Sequence, residues 1–376
     1  MFALSNFYFR QLTFKGERMK KLTVALIATM IASMTAAGAF AGDHTINIVG
    51  RTGWKWNDKD SRTEANSSSF DIDYLRTSFA GAINPTVKYF VTGDLLETSS
   101  TKDNVDNTSA FIDEAFITKT FASGTGVTVG KKTVFIGGRD FDYSDSDRYT
   151  TSYFYDATPD NQVGLTLTQE WEGQTFVAQY FNGNKNNGGT TNQQSKYGYS
   201  FGWYGELFGG WVKPIAAYTI VPEAAGADTS LKAAGATPDI RAGKGNDEFI
   251  AAGLQLNTPH NVVLEGDYTI LTEKKAVAGD KDLKTRSIVG VIRYTAERFS
   301  PFVKVFSDER KNDGTKSNKR FAYDAGVELK EKSEDAIRYH VVYSGSTVKD
   351  YTTGSEVKNS PKQIYVGLKF DASILK

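Results

Sequence analysis

The chain of 376 residues contains no cysteine and only three histidines. The first absence excludes a disulfide framework and thiolate metal sites. The second leaves little material for a catalytic triad or an imidazole metal centre. Basic and acidic residues balance at 44 each, which excludes a strongly basic nucleic-acid binder. Beyond the N-terminal 41 residues no apolar run approaches the ~20 residues of a membrane-spanning helix, and no P-loop or glycine-rich phosphate turn opens a helix. No cofactor is therefore expected. Glycine and aromatics are abundant instead, with 35 Gly, 24 Phe, 19 Tyr and 5 Trp.

Residues 19–41 carry Lys20-Lys21, an apolar run and the small-residue site Ala39-Phe40-Ala41. They read as a Sec signal peptide cleaved after Ala41, with an uncleaved anchor as the competing reading. Residues 1–18 fit no secretory scheme. Lys15-Gly16-Glu17 is what a ribosome-binding sequence would encode if translated, so Met19 is the expected start in a bacterial gene. Residues 42–376 then form a single domain. Cleavage removes Arg10, Lys15, Arg18, Lys20, Lys21 and Glu17, leaving 39 basic and 43 acidic residues, a net charge of −4.

From Asp43 onward apolar and polar residues alternate in short runs. Val163, Leu165 and Leu167 share one phase, with Gln162, Gly164 and Thr166 between them. After Glu172-Gly173 the pattern resumes as Phe176, Ala178 and Tyr180. The same alternation recurs in TVKYFVTGDL, KYGYSFGWYGEL, NVVLEGDYTI, RFAYDAGVELK and AIRYHVVYS. Each run is about ten residues, the length of a tilted strand crossing a bilayer. Residues 70–83 change phase near Tyr74, and 110–121 and 247–257 fit either phase.

The connections decide between a sandwich core and lipid. Short turns fall at Asn84-Pro85, 122–126, Glu172-Gly173, Gly209-Gly210, 258–260, 295–299 and 331–335. Longer polar loops fall near 57–68, 98–107, 137–160, 182–195, 222–246, 272–283, 308–319 and 345–360. Strict alternation of short and long predicts about sixteen strands with all long loops on one side. Trp171 and Trp211 beside short turns, and Trp54 and Trp56 entering a long loop, match interfacial girdles. The expected fold is all-β: a transmembrane antiparallel β-barrel with short periplasmic turns and long extracellular loops, since only a closed barrel satisfies every strand backbone group in lipid. A secreted soluble sandwich also alternates, but it has no reason to sort its loops by length.

If the apolar phase meets lipid, the polar phase lines a water-filled lumen. Its basic members are Arg76, Lys88, Lys132, Arg293, Lys304 and Arg338; its acidic members are Asp94, Glu170, Glu206, Glu265, Asp267, Asp324 and Glu328. Any one of them could equally be a solvated surface charge. The third long loop, GGRDFDYSDSDRYTTSYFYDATPD (137–160), combines Arg139, Asp140, Asp142, Asp145, Asp147 and Arg148 with four tyrosines and two phenylalanines. A loop this aromatic needs a surface to pack on, and the inner wall is available. It is expected to fold into the pore as a constriction, its carboxylates facing wall cations such as Lys88 and Lys132. A loop capping the barrel, or one binding Ca²⁺, is the alternative, although the Asp spacing is not that of a calcium loop.

At this point the order of features resembles the phosphate-selective porin O and P family. Residues 73–97 match a family hairpin through Arg76, Gly81, Asn84-Pro85, Lys88 and Asp94; residues 110–141 match the next through Val129-Gly130-Lys131-Lys132; and YFNGN at 180–184 follows in place. In motifs the resemblance covers about residues 73–184. It implies a sixteen-stranded barrel, a homotrimer, and a third loop folded into the lumen. Partners implied by that location are outer-membrane lipid, lipopolysaccharide, the outer-membrane assembly machinery, and ions or small solutes in transit. Two features depart from the family pattern. The lumen phase has few arginines and an acidic third loop, which points away from phosphate selectivity. The last strand, read through Ile364, Val366, Leu368 and Phe370, is followed by six more residues.

The function expected is a passive diffusion channel for ions and small hydrophilic solutes, general and with a weak cation preference drawn from the net −4 and the acidic loop. The alternatives are a phosphate- or anion-selective porin and a plugged structural or adhesive barrel. An outer-membrane enzyme needs a nucleophile and histidine near the outer rim. His44 lies at the mature N-terminus, His260 in a turn and His340 mid-strand, so no enzyme is expected.

Overall fold

The computed structural model describes residues 44–58, 67–95, 112–159, 161–183, 197–222, 246–274, 282–312, 315–330, 336–351, 356–357 and 362–375. The start extension and the signal peptide lie outside the described residues. The strands are β1 (His44–Asp58), β2 (Ser67–Asn84), β3 (Val87–Asp94), β4 (Glu114–Thr120), β5 (Thr125–Lys132), β6 (Gln162–Trp171), β7 (Gln174–Asn182), β8 (Tyr197–Gly205) and β9 (Val212–Pro222). They continue as β10 (Asn246–Asn257), β11 (Val262–Lys274), β12 (Leu283–Tyr294), β13 (Phe299–Asn312), β14 (Thr315–Lys330), β15 (Ile337–Asp350), the two-residue β16 (Glu356–Val357) and β17 (Lys362–Leu375). Each long strand pairs antiparallel with the next, and β17 pairs with both β15 and β1. With β16 only edging β15, sixteen staves close on themselves and leave no free sheet edge.

Local chemistry sets the turns. Glu172 and Gly173 both take positive φ (48° and 76°), the pattern of a tight primed hairpin turn, and fix the β6–β7 register at Trp171 opposite Gln174. The phase change near Tyr74 is a bulge: Arg51 faces Tyr74 while Thr52 faces Ile72, so Asp73 is the extra residue.

Two expected loops are shorter than the sequence reading had them. Around 308–319 strands β13 and β14 run on until Asn312 faces Thr315. Asp313-Gly314 between them is a hairpin signal that outweighs the run of charges. Near 345–360, β15 reaches Asp350 and Glu356–Val357 pairs back onto it. The last strand also does not end at Phe370: Asp371, Ala372 and Ser373 continue the ladder against Val49, Ile48 and Asn47.

The apolar phase faces outward, with Phe201, Val129, Ile288 and Ile292 all more than half exposed and Trp171 and Trp211 beside the short turns. The polar phase is buried inward, as at Thr166, Ser200, Thr219, Thr285 and Ser287. Strand β10 breaks the rule for a physical reason. Ile250 points out while Phe249 and Ala251 point in, because residues of the third loop pack on them. That is why 247–257 fits either phase in sequence.

Candidate functional site: the loop-crossed lumen

The segment after β5 turns into the barrel and crosses it. The Phe135 N–H donates to Gln179 Oε1 (2.6 Å), and Phe135 O accepts from Ser200 and from Thr219 (3.0 Å), tying the chain to β7, β8 and β9. Gly137, at φ 80°, passes the wall so closely that a Cβ there would lie 2.7 Å from that of Ala217. By Arg139 the chain has reached β11. Asp267 accepts the Arg139 and Asp140 backbone N–H groups at 2.7 and 2.8 Å, and the Arg139 guanidinium donates to Lys213 O and Pro214 O at 2.6 and 3.1 Å.

The far wall then takes the loop's charges. Asp140 meets Lys304 of β13 at 2.6 Å, with the two side chains only 4 % and 9 % exposed. Asp147 meets Lys369 of β17 at 2.7 Å and Arg338 of β15 at 3.5 Å, and both cations also bind Glu328. Burial alone would raise the Asp147 carboxyl, but the Lys369 ammonium and the Arg338 guanidinium outweigh it and hold it down at about 2. Burial raises the Tyr143 and Tyr149 hydroxyls, and neighbouring carboxylates (Glu265 and Glu328 respectively) add to it, so both rings stay neutral.

The return leg repeats the pattern. The Thr150 hydroxyl donates to Asp324 at 2.7 Å, and Tyr153 N–H donates to Asp308 at 3.2 Å. The Tyr153 ring lies between Arg310 (4.0 Å) and Arg320 (3.8 Å). Helix α1 (Tyr153–Asp156) is one turn, capped by Ser152. It presses Phe154 edge-on to Phe249 at 5.7 Å, in a cluster with Val134, Ile136, Phe181, Val221 and Leu271. A fully buried Phe contributes about 1.5–3 kcal/mol, so this apolar core within the lumen helps hold the loop alongside its ion pairs.

The loop packs on the wall from β7 round to β17 and β1 and leaves a cavity of about 1170 Å³, lined on the wall side by residues from β2 to β9. Arg76, Asp94, Asp113 and Lys132 line it from the wall; Asp142, Arg148 and Tyr155 line it from the loop. Arg76 bonds Asp94 at 3.1 Å and also meets Asp113, Lys132 lies 5.2 Å from the Phe116 ring, and Arg148 stacks on Tyr155 at 4.4 Å.

The expected pairing of loop carboxylates with Lys88 and Lys132 is therefore corrected. Lys88 lies on the lumen face near the periplasmic turn, three inward positions below Asp94. Lys132 faces the open cavity. The chain has run along β7–β11 before its first aspartate, so the wall cations that its carboxylates meet belong to β13–β17, while Arg293 of β12 and Arg51 of β1 meet its Tyr143 ring and its backbone carbonyls. Arg293, Lys304 and Arg338 accordingly lie beneath the loop, Arg293 against the Tyr143 ring at 5.3 Å. Asp145 opens a short 3₁₀ turn with Asp147. Glu170 and Glu206, placed in the lumen by phase, sit at the periplasmic turns, where Glu206 binds Lys213 at 2.5 Å. Lys369, Arg51, Arg320 and Asp308 were missed. Their signal was present, since each occupies the polar phase of its strand.

Comparison with known proteins follows this geometry. The family model of phosphate-selective porin O and P matches residues 46–295. In-vitro folded OmpT, an outer membrane protein of Vibrio cholerae in trimer form, superposes with a TM-score of 0.59 at 12 % identity, covering 88 % of this chain and 100 % of that one. The anion-selective porin from Comamonas acidovorans gives 0.60 at 11 %, covering 88 % and 100 %. Salmonella typhi OmpF in complex with daunomycin gives 0.56 at 16 %, covering 88 % and 97 %. At these identities the likeness is one of fold. No curated protein matches in sequence. With the family match spanning more than half of its length and a closed barrel of porin topology, the chain belongs to the phosphate-selective porin O and P family, as a diffusion channel of the bacterial outer membrane.

Proposed function

We propose that this channel is a general porin for small hydrophilic ions and solutes, constricted by residues 133–159 and weakly cation-preferring. The observation that carries this reading is the cavity left between that loop and the wall from β2 to β9, which bears both signs of charge. A lining of both signs orients ions without trapping them. The preference is weak because Asp140 and Asp147 are cancelled by Lys304, Lys369 and Arg338, leaving Asp142 and Asp156 as half-exposed carboxylates among the described side chains of the loop. An assembly of three copies fits the trimeric form of the OmpT relative. Family and fold support a channel rather than an enzyme, and His340 is packed between the Tyr149 and Tyr365 rings.

A second reading, an anion- or phosphate-selective pore, is favoured by Arg76, Lys132 and Arg148 on the open side. The reversal potential of refolded protein in a planar bilayer under a KCl gradient, with phosphate then titrated in, separates the two. A cation-side potential without phosphate block supports the general porin. An anion-side potential with block by low phosphate supports the second reading. No conductance steps would overturn both and leave a plugged barrel.

A further inference from the structure

Exposed apolar side chains on the strands belong on the lipid face. Among the exposed large apolar and aromatic side chains of the described strands, Tyr204 of β8, 39 % exposed, alone points into the lumen. Its phase is fixed by Ser200, whose hydroxyl bonds Phe135 O inside the barrel, and by the buried Ile215 that faces Tyr204 on β9. Phe135 joins it: the two rings lie 5.9 Å apart at 34°, and both border the open cavity. The wall is cut to seat the Phe135 ring, which lies against Gly202, the inward position before Tyr204, where any Cβ would collide with it. Bonds from the Phe135 backbone to Gln179, Ser200 and Thr219 make the ledge rigid. Elsewhere around the cavity Phe141 and Tyr155 stack on each other at 4.9 Å, and Tyr155 also takes Arg148, so those rings spend their faces within the protein.

The charges near the ledge are largely paired. Arg139, held by Lys213 O and Pro214 O next to the Ile215 that faces Tyr204, pairs with Asp142 at 2.7 Å, and the Asp142 side chain is 52 % exposed. On the wall Arg76 lies between Asp94 and Asp113. A charge neutralised by its partner pulls weakly on an ion but keeps lone pairs or N–H groups for further hydrogen bonds. Hydroxyl groups donate and accept at once, so they suit both members of such a pair. A ring that carries hydroxyls at its rim and C–H bonds on its face also suits the ledge, because an aromatic face is electron-rich. A purely aromatic solute would cover the paired charges without bonding them, which costs the water they give up.

We propose that the cavity is a saccharide site: one sugar ring stacks on Phe135 and Tyr204, its hydroxyls bond Asp142 and the Tyr204 hydroxyl, and a further unit reaches the Arg76 cluster. The cavity, about 1170 Å³, lies just above the ~300–1,000 Å³ of small-molecule sites and has room for more than one ring. The proposal rests on the reading of this cavity as the open path of a general porin, and adds the class of solute that the path retains.

The test titrates the intact refolded protein with maltotriose and reads binding twice: as block of single-channel current in a planar bilayer, and by equilibrium dialysis of the radiolabelled sugar against detergent-solubilised protein. Block should saturate with concentration, and a polyethylene glycol of the same hydrodynamic size should not reproduce it. Tyr204→Leu keeps apolar bulk but removes the ring face and should weaken both readouts roughly fivefold or more, whereas Tyr204→Phe keeps the ring and most of the binding. No saturable block or retention of maltotriose, equal block by the size-matched polymer, or equal binding by wild type and Tyr204→Leu would each overturn the proposal. If Tyr204→Leu fails to refold, Asp142→Ala removes an acceptor from the loop and leaves the wall untouched; it should weaken binding several-fold, and unchanged binding would overturn the proposal. Absence of conductance steps would sink the channel reading while the dialysis still decides this one, and normal conductance without sugar binding would sink this one alone.

Discussion

Replacing Lys304 by Met tests the anchoring of the loop most directly. The Asp140–Lys304 pair is buried on both sides, and Lys304 also donates to Thr150 O at 3.1 Å. Removing one partner of a buried pair leaves an uncompensated charge and costs about 3–5 kcal/mol. Methionine keeps most of the aliphatic volume, so the loss falls on the carboxylate of Asp140 rather than on packing. At ~1.4 kcal/mol per decade, the opening equilibrium of the loop should shift by more than about a hundredfold. Amide hydrogen exchange across residues 139–151 should accelerate accordingly, while protection in β6–β9 stays unchanged. Single-channel recordings should show added noise as the loop leaves the wall. The double variant D140N/K304M removes both charges and should recover most of the protection, giving a large coupling energy in the cycle. Unchanged exchange in K304M, or additive losses in the double variant, would refute the claim that this pair holds the loop.

Acid should act through Asp147. Its carboxyl is held at about 2 in the folded chain, against ~3.9 when unfolded, so its ion pairs contribute about 2.5 kcal/mol. Because the folded value is the lower one, that stability is complete above pH ~4 and is lost as pH falls toward 2; loop exchange measured from pH 5 to 2 should rise, and a flat profile would refute the assignment. Gly137→Ala combines a positive φ with a Cβ contact to Ala217 and should lower the thermal midpoint, whereas Gly209→Ala, at φ 67° with nothing within 4 Å, carries only the backbone cost of about 1–2 kcal/mol. Arg76→Gln on the cavity wall should move the reversal potential toward cations and Asp113→Asn toward anions; equal potentials for the two would place the ion path elsewhere.

Much of the architecture was legible because strand alternation and turn chemistry are local. Val163 through Tyr180 reads as a hairpin from residues that are neighbours in sequence, and Glu172-Gly173 specifies its turn without help from the rest of the chain. The third loop was legible for a different reason: two phenylalanines and four tyrosines in one connection need a surface to cover them. The same packing hid the lumen phase of β10, since Phe249 and Ala251 are apolar only because Phe154 and its neighbours lie against them. The Asp313-Gly314 turn signal stands in a run of charges, which is why 308–319 reads as a polar loop although Asn312 pairs with Thr315.

The sequence by itself showed most of the strands, the sorting of short and long connections, and a loop whose aromatics need a surface to pack on. Alternation, turn residues and composition act over a few positions, so a single chain displays them. The tertiary structure alone decided which charges face the open lumen. Asp140 finds Lys304 across 164 positions and Asp147 finds Lys369 across 222. Those partners are set by barrel closure and by the path of the loop along β7–β11, and charge–charge attraction carries no record of sequence distance.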